Sequence, residues 1–333
     1  MSTLQTAFTQ FHDNIKLEDE NQTLRDKRDI LLNKLKDEIS TDAASYTTFN
    51  QGSYAMNTGI KPEDGDYDID VGLKFDINKS DYTDPVVVKK WVRDALVGHT
   101  QSVSIRRSCV TVQYQQDNEP IYHVDFACYA ADNDDGKLYI AKGKEFSNAD
   151  EKHWEVSDPQ GLIQLVQDKH SGKDAEQFRR VIRYVKKWKV RKFSSDGNGA
   201  PTGIALTVLA YNLFSPSSVY DPITASRSYN DFDALHNLIK NIKNKFSMIF
   251  KDSSIYYTIS ANLPVEPYND LFDKMTLKQK TTFHDKIVAM DDKLEEVKKK
   301  TTLSEKCTLL QDLFGSDFPI LTTRSMVGSS ESA

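Results

Sequence analysis

The sequence predicts an α+β protein: a β-rich first half built on a mixed sheet with flanking helices, packed on a helical second half. Two observations carry this. The segment 67–75, YDIDVGLKF, alternates apolar and polar residues with period two, as a half-buried strand does. From about residue 158 onward, the apolar residues fall instead at helical spacing. A length of 333 residues is enough for one large or two medium domains with a proper core. The expected division is a core at 1–157 with an N-terminal helix, a helical domain at 158–325 and a disordered tail at 326–333.

The elements follow in order. QTLRDKRDILLNKLKDEI at 22–39 spaces Leu24, Ile30, Leu31, Leu35 and Ile39 as one face of an amphipathic helix. TTFNQGSYAMNT reads as a short strand entering a Gly-Ser turn. In YDIDVGLKF, Tyr67, Ile69, Val71, Leu73 and Phe75 form one face and Asp68, Asp70, Gly72 and Lys74 the other. Asp84-Pro85 opens a helix, with Asp as a cap and Pro in the first turn. SCVTVQY and IYHVDFACYA are further strands. The second sets Tyr122, Val124, Phe126 and Cys128 against His123 and Asp125. DPQGLIQLVQDKH, AEQFRRVIRYVKKWKVRKF, TGIALTVLAYNLF, 231–249 and 282–313 read as helices, and the final GSSESA as frayed. The first helix could also pack on the second half, so the cut near 158 need not be clean.

Composition narrows the function classes. A net charge of −6 argues against a protein built mainly to coat nucleic acid, though not against a local basic groove. The three cysteines, Cys109, Cys128 and Cys307, form no C-x-x-C pair and no zinc spacing with histidine. Such usage suits a reducing compartment. With no leader and no apolar run of membrane-spanning length, the expectation is a cytoplasmic protein without a membrane partner.

Asp64, Asp66, Asp68 and Asp70 stand at alternate positions just after Gly52-Ser53. A solvated acidic loop is one reading. A calcium loop of the EF-hand type needs Gly at its sixth position and Glu at its twelfth. Counting from Asp64 gives Ile69 and Phe75, and from Asp66 gives Val71 and Ile77, so that reading fails. A third reading uses strand geometry. Asp68 and Asp70 are two apart and project the same way, and Asp125 on a second strand could join them. Carboxylates on rigid strands suit Mg²⁺, completed by substrate phosphates, and two such ions suit phosphoryl chemistry. Gly52 would let backbone approach a phosphate closely, with Ser53 adding a hydroxyl.

A Gly-Ser pair, a spacer, Asp-x-Asp on a strand and a later strand Asp together resemble the polymerase-β-like nucleotidyltransferases. QGSYAMNTGIKPEDGDYDIDVGLKF with YHVDFACYA resembles the branch of cyclic GMP–AMP synthase and its bacterial relatives, the CD-NTases of anti-phage signalling systems (CBASS). The resemblance spans roughly 22–320 and is strongest at 51–75 and 121–130. It implies a polymerase-β-like core over 1–157, with Asp68, Asp70 and Asp125 as catalytic metal-binding carboxylates and Gln51, Gly52 and Ser53 holding a donor triphosphate. The metals implied are two Mg²⁺ ions, with Mn²⁺ as a substitute.

AEQFRRVIRYVKKWKVRK carries Arg179, Arg180, Arg183, Lys186, Lys187, Lys189, Arg191 and Lys192. Most of these charges read as a solvated helix face. Lys186 best matches the family lysine that reaches the triphosphate, with Lys187 one residue away. Thr202 matches a family hydroxyl that touches phosphate, and reads equally as a helix N-cap. Gly203 departs from the aromatic that stacks on the base. His123 reads as a strand-packing residue rather than a base. The animal zinc insertion is missing from the pattern, which points to the bacterial side.

The resemblance implies Mg-dependent synthesis of a cyclic oligonucleotide second messenger from ATP and other NTPs, with release of pyrophosphate. Cyclic tri-adenylate is the leading expectation for the product. A HORMA-domain adaptor and a DNA contact through 179–192 are the implied partners besides nucleotide. The rivals are a nucleotidyltransferase acting on RNA 3′ ends or on protein, and a non-catalytic nucleotide-binding interaction protein.

Overall fold

Apolar residues on one side of a strand need a layer to cover them, and the helices on either side of 67–75 supply it. The computed structural model describes residues 3–17, 20–63, 67–100, 102–116, 119–194, 199–223 and 225–322. Asp64, Asp66 and the tail at 326–333 lie outside these. The chain begins with α1 (Leu4–Ile15), α2 (Glu20–Glu38), β1 (Tyr46–Gln51), the single turn α3 (Gly52–Ala55), β2 (Tyr67–Phe75) and α4 (Val86–Leu96). Next come β3 (Ser102–Ile105), β4 (Val110–Gln116), β5 (Glu119–Ala130), β6 (Tyr139–Lys142), β7 (His153–Val156) and α5 (Pro159–Asp168). The remainder is α6 (Gly172–Lys192), α7 (Gly203–Leu213), β8 (Ser218–Asp221), β9 (Ser226–Tyr229), α8 (Asp231–Lys245), β10 (Ser247–Lys251), β11 (Ser254–Thr258), α9 (Leu277–Lys299) and α10 (Leu303–Phe314).

These elements form two compact units. One joins Leu17–Lys169 to Asn262–Asn269; the other joins Met1–Lys16, His170–Ala261 and Asp270–Ala333. Where the sequence suggests one cut at 157/158, the chain passes between the units four times. The physical reason is that α1 and the segment 262–269 each find their partners far away in sequence.

In the first unit a seven-stranded mixed sheet has the order β1-β2-β5-β4-β3, with β6 paired to β5 and β7 to β6. β2 and β5 are parallel, while β1–β2 and β4–β5 are antiparallel. Ile69, Val71, Leu73 and Phe75 of β2 and Val124, Phe126 and Cys128 of β5 form the buried face. They pack with Leu24, Leu31 and Leu35 of α2 and Val88, Val92 and Leu96 of α4. The period-two pattern therefore fixes which side of β2 and β5 meets the helices, and leaves their polar residues on the other side. Asp84 Oδ1 accepts from the Val86 N–H at 2.9 Å, so the Asp-Pro pair does open α4.

Lys89 of α4 is fully buried within that apolar layer. Its ammonium donates to the carbonyls of Arg106 (3.0 Å) and Arg107 (3.1 Å), and to that of Gly143. Burial pulls its pKa down to about 8. The contacts tie the β3–β4 connection to the end of β6. Lys89→Met removes all three donors and is expected to lower unfolding stability by about 3 kcal/mol, since each stranded carbonyl costs roughly 1–3 kcal/mol. The denaturant midpoint measures it; an unchanged midpoint would show the tie to be dispensable.

The second unit is mostly helical. Phe8 and Phe11 of α1 are buried, with ring centroids 5.3 Å from Tyr184 and 4.8 Å from Phe314 respectively. The Tyr184 hydroxyl shares its one proton between the Phe8 carbonyl at 3.0 Å and Asp231 at 2.9 Å. Asp231 is fully buried and takes two hydrogen bonds from Arg180, at 2.7 and 2.8 Å. Burial raises the Asp231 carboxyl, but the Arg180 hydrogen bonds and charge outweigh it and hold the group below the usual carboxylate range. The basic helix α6 is thus not a solvated stripe. Of its eight cations named above, only Arg191 is exposed. Lys187 pairs with Asp317 at 2.6 Å, and Lys192 donates to the Asp312 carbonyl at 2.6 Å.

Two helix expectations need correction. The stretch 231–249 is a helix only to Lys245 and then turns into β10. The stretch 282–313 is two helices, because Thr302 and Glu305 form a capping box that starts α10 afresh. Among the described residues no helix is long and apolar enough to cross a membrane.

Candidate active site

The polar faces of β2 and β5 meet because the two strands are neighbours in register. Asp68 lies opposite His123, and Asp70 opposite Asp125. One donor atom from each of Asp68, His123 and Asp125 falls within 4.8 Å of the others. His123 Nε2 is 3.2 Å from Asp68 Oδ1. The sequence reading took His123 as a packing residue; the register places it inside the acidic group.

Asp70 faces the Gly-Ser turn. Gly52 has φ of +67°, and a Cβ at this position would sit 1.7 Å from Asp70 Oδ2. The glycine is required twice, for the left-handed backbone and for the space its missing side chain leaves to a carboxylate. Gln51 precedes it in register with Asp70, and its Oε1 accepts from the Tyr129 hydroxyl at 2.8 Å. The Ser53 carbonyl accepts from the Thr58 N–H at 2.9 Å, which closes the turn after α3.

Asp125 is anchored from the other side. Thr111 of β4 is its register partner, and the Thr111 hydroxyl donates to Asp125 Oδ1 at 2.6 Å. Burial pushes the Asp125 carboxyl above the usual carboxylate range; the Thr111 bond opposes this, and the negative charge of Asp68 adds to it. Burial, with the Asp125 charge, raises the neighbouring Cys109 thiol to about 12, which makes it an inert neighbour rather than a nucleophile.

The donor set fits a divalent cation. Three carboxylates from adjacent strands stand on one face of the sheet, one of them disfavoured as an anion by its surroundings, and a cation is the group that would relieve them. The gap that only glycine can leave beside Asp70 keeps that carboxylate against the turn.

Lys186 and Thr202 belong to the helical unit. Thr202 is the N-cap of α7, its hydroxyl accepting from the Ala205 N–H at 3.2 Å. Lys186 is 8% exposed, and its Cε lies 3.8 Å from where a Cβ on Gly203 would be. That is an ordinary van der Waals distance, so Lys186 and the start of α7 are neighbours within that unit. Lys187, one residue along the same helix, pairs with Asp317 at 2.6 Å.

Thr111 and Tyr129 were missed by the sequence reading. The signal for Thr111 was the alternation Cys109, Thr111, Gln113 on the polar side of SCVTVQY, which meets Asp125 only once the strand pairing is known. Tyr129 carried no signal of its own, being one aromatic in a run of strand residues.

Comparison with known proteins follows the same lines. Residues 47–129 match the family described as "Cyclic GMP-AMP synthase DncV-like, nucleotidyltransferase domain". The fold is similar to that of the CD-NTase CdnG of Bradyrhizobium diazoefficiens, solved with GTP (TM-score 0.67, 12% identity, 94% of this chain and 95% of that one). It is similar to the Vibrio cholerae DncV cyclic AMP-GMP synthase (TM-score 0.66, 14% identity, 95% and 99%). It is also similar to Escherichia coli MS115-1 CdnC, solved in complex with HORMA-deltaN (TM-score 0.67, 16% identity, 94% and 97%).

Proposed function

We propose that this chain, whose residues 47–129 match the DncV-like nucleotidyltransferase domain, is a nucleotidyltransferase of the CD-NTase family that makes a cyclic oligonucleotide from ATP, alone or with other NTPs, as a messenger in anti-phage signalling. The observation that carries the reading is the convergence of Asp68 and Asp125 from two parallel strands beside the Gly52 turn that seats Asp70. Asp68, Asp70 and Asp125 would hold the divalent cations, Mg²⁺ or Mn²⁺. When bound, these lower the pKa of an attacking hydroxyl and neutralise a leaving pyrophosphate.

The chain's own contribution is positioning. Gly52 and Ser53 offer backbone and hydroxyl to the donor triphosphate, and Tyr129 fixes Gln51 beside them. Thr111 fixes the rotamer of Asp125. In the reaction a 3′-oxygen bonds to the α-phosphorus of the next nucleotide, and the bond from that phosphorus to the departing pyrophosphate breaks. A last transfer of the same kind within one linear product closes the ring. Holding both partners in line supplies much of the acceleration.

Lys186 and Thr202 are assigned to the triphosphate. Lys186→Ala is expected to raise the apparent KM for ATP about tenfold with a smaller change in kcat, because a point charge on a polyphosphate acts mostly in binding. An unchanged KM would remove Lys186 from the nucleotide site. A HORMA-domain adaptor is the proposed class of activator.

The reading is tested by incubating pure protein with Mg²⁺ or Mn²⁺ and the four labelled NTPs, with and without adaptor, and weighing the products. Small phosphatase-resistant products with pyrophosphate release are expected. Label transferred to RNA ends or to protein would replace the reading with another nucleotidyl transfer. ATP that binds and is never consumed would replace it with a non-catalytic binding role.

A further inference from the structure

The imidazole of His123 stands where a metal ligand would. It projects from β5 two positions before Asp125 and lies opposite Asp68 in the parallel register. Its Nε2 is 3.2 Å from Asp68 Oδ1, and one donor atom from each of Asp68, His123 and Asp125 lies within 4.8 Å of the others. The position is accessible: the side chains of His123 and Asp68 are 22% and 44% exposed. Asp125 is held in place by Thr111, so the group has one fixed carboxylate, one open carboxylate and one nitrogen.

We propose that His123 is a direct ligand of a metal ion shared with Asp68 and Asp125, giving one metal position of this site a mixed nitrogen–oxygen character that favours a first-row transition dication such as Mn²⁺ over Mg²⁺. The inference rests on the metal-dependent reading above and deepens it. The chemistry is that of donor hardness. Mg²⁺ takes oxygen ligands in a near-ideal octahedron and gives up its waters reluctantly. Imidazole nitrogen bonds better to first-row transition ions, whose affinity for nitrogen sites rises along the series from Mn²⁺. Replacing one oxygen of an all-carboxylate site by Nε2 therefore shifts preference without removing the site. The 3.2 Å between Nε2 and Asp68 Oδ1 is a separation that two neighbouring ligands of one ion can keep.

The test reads the metal rather than turnover. Full-length protein is loaded with Mn²⁺, with and without a non-hydrolysable ATP analogue, and pulsed electron paramagnetic resonance looks for coupling of the Mn²⁺ electron spin to ¹⁴N. Coupling typical of a bound imidazole is expected in the parent protein, collapsing to a ¹⁵N pattern on histidine labelling and vanishing in His123→Ala. In that variant Mn²⁺ affinity is expected to fall about tenfold, while Mg²⁺ affinity, read by competition, changes less than about twofold. Stoichiometric Mn²⁺ without nitrogen coupling in the parent overturns the inference, as does an equal loss of both metals in the variant. Asp125→Asn separates this from failure of the underlying reading. If it abolishes Mn²⁺ binding while the parent shows no nitrogen coupling, only the role of His123 falls. If Mn²⁺ binds as before in Asp125→Asn, or never binds the parent, the carboxylate site itself falls and the inference with it.

Discussion

Asp125→Asn is expected to cut nucleotidyl transfer by at least about 10³-fold, or about 4 kcal/mol of transition-state stabilisation. Asparagine keeps the shape and still offers an oxygen to the Thr111 hydroxyl, whose bond to Asp125 is 2.6 Å. What it loses is the charge that would balance a cation beside Asp68. The fold should not suffer. Burial, reinforced by Asp68, makes the folded protein hold the Asp125 proton more tightly than the unfolded chain does. Ionising that group therefore costs stability as pH rises through its titration, and the cost stands in full above it. Removing the charge from metal-free protein should leave the melting temperature equal or higher. Loss of product at an undiminished melting temperature marks a group kept for chemistry against stability. Product formation at the parent rate would sink the assignment.

Gly52→Ala is expected to be nearly as damaging, by a different route. Its backbone has φ of +67°, which costs a side-chain-bearing residue roughly 1–2 kcal/mol. The new methyl would also meet Asp70 Oδ2 at 1.7 Å, so that carboxylate must move. A ligand displaced by an ångström typically costs about 10²-fold in rate. Gly98→Ala is the control. It has φ of +79° with nothing within 4 Å of the added carbon. Gly98→Ala should melt earlier by the backbone cost alone and Gly52→Ala by at least as much, and only Gly52→Ala should lose activity about 10²-fold. Equal activity of the two, measured well below their melting temperatures, would show that the turn does not govern Asp70.

The parts of this molecule that were readable in the sequence are those whose faces differ in burial. β2 shows its alternation plainly because Ile69, Val71, Leu73 and Phe75 are all but fully buried while Asp68 is exposed. The helix α6 was readable by the same logic at helical period, whereas α7 buries Ala205 to Ala210 without a break and shows no such face. The short hairpins were not. In β8–β9 and β10–β11 large apolar side chains such as Val219, Met248 and Phe250 stand in solvent, so no burial period marks those strands. The helix α1 carried a usable signal in Ala7, Phe8, Phe11 and Ile15, all buried, which the amphipathic reading of 22–39 overshadowed.

The candidate site divides in the same way. Asp68 and Asp70 share a face by counting alone, and Asp125 joins by strand type. His123 shares the face of Asp125 by the same counting, but its closeness to Asp68, like that of Thr111 to Asp125, could not be read, because one strand reports its own faces but not which neighbour lies at which register. The charges of α6 misled for a related reason. A cation bonded to a buried Asp231, as Arg180 is, looks in sequence like any other solvated one.

Because each unit is assembled from separate stretches of chain, protein synthesis cannot finish one before starting the other. The first sixteen residues leave the ribosome well ahead of the helices from residue 170 onward that will cover Phe8 and Phe11. At about 5–20 residues per second, that apolar helix waits roughly 8–30 s for its partners. Nascent chains stalled in this interval would be natural clients for a chaperone that binds short aromatic segments. A shortened gene that keeps residues 1–157 alone would make the exposure permanent.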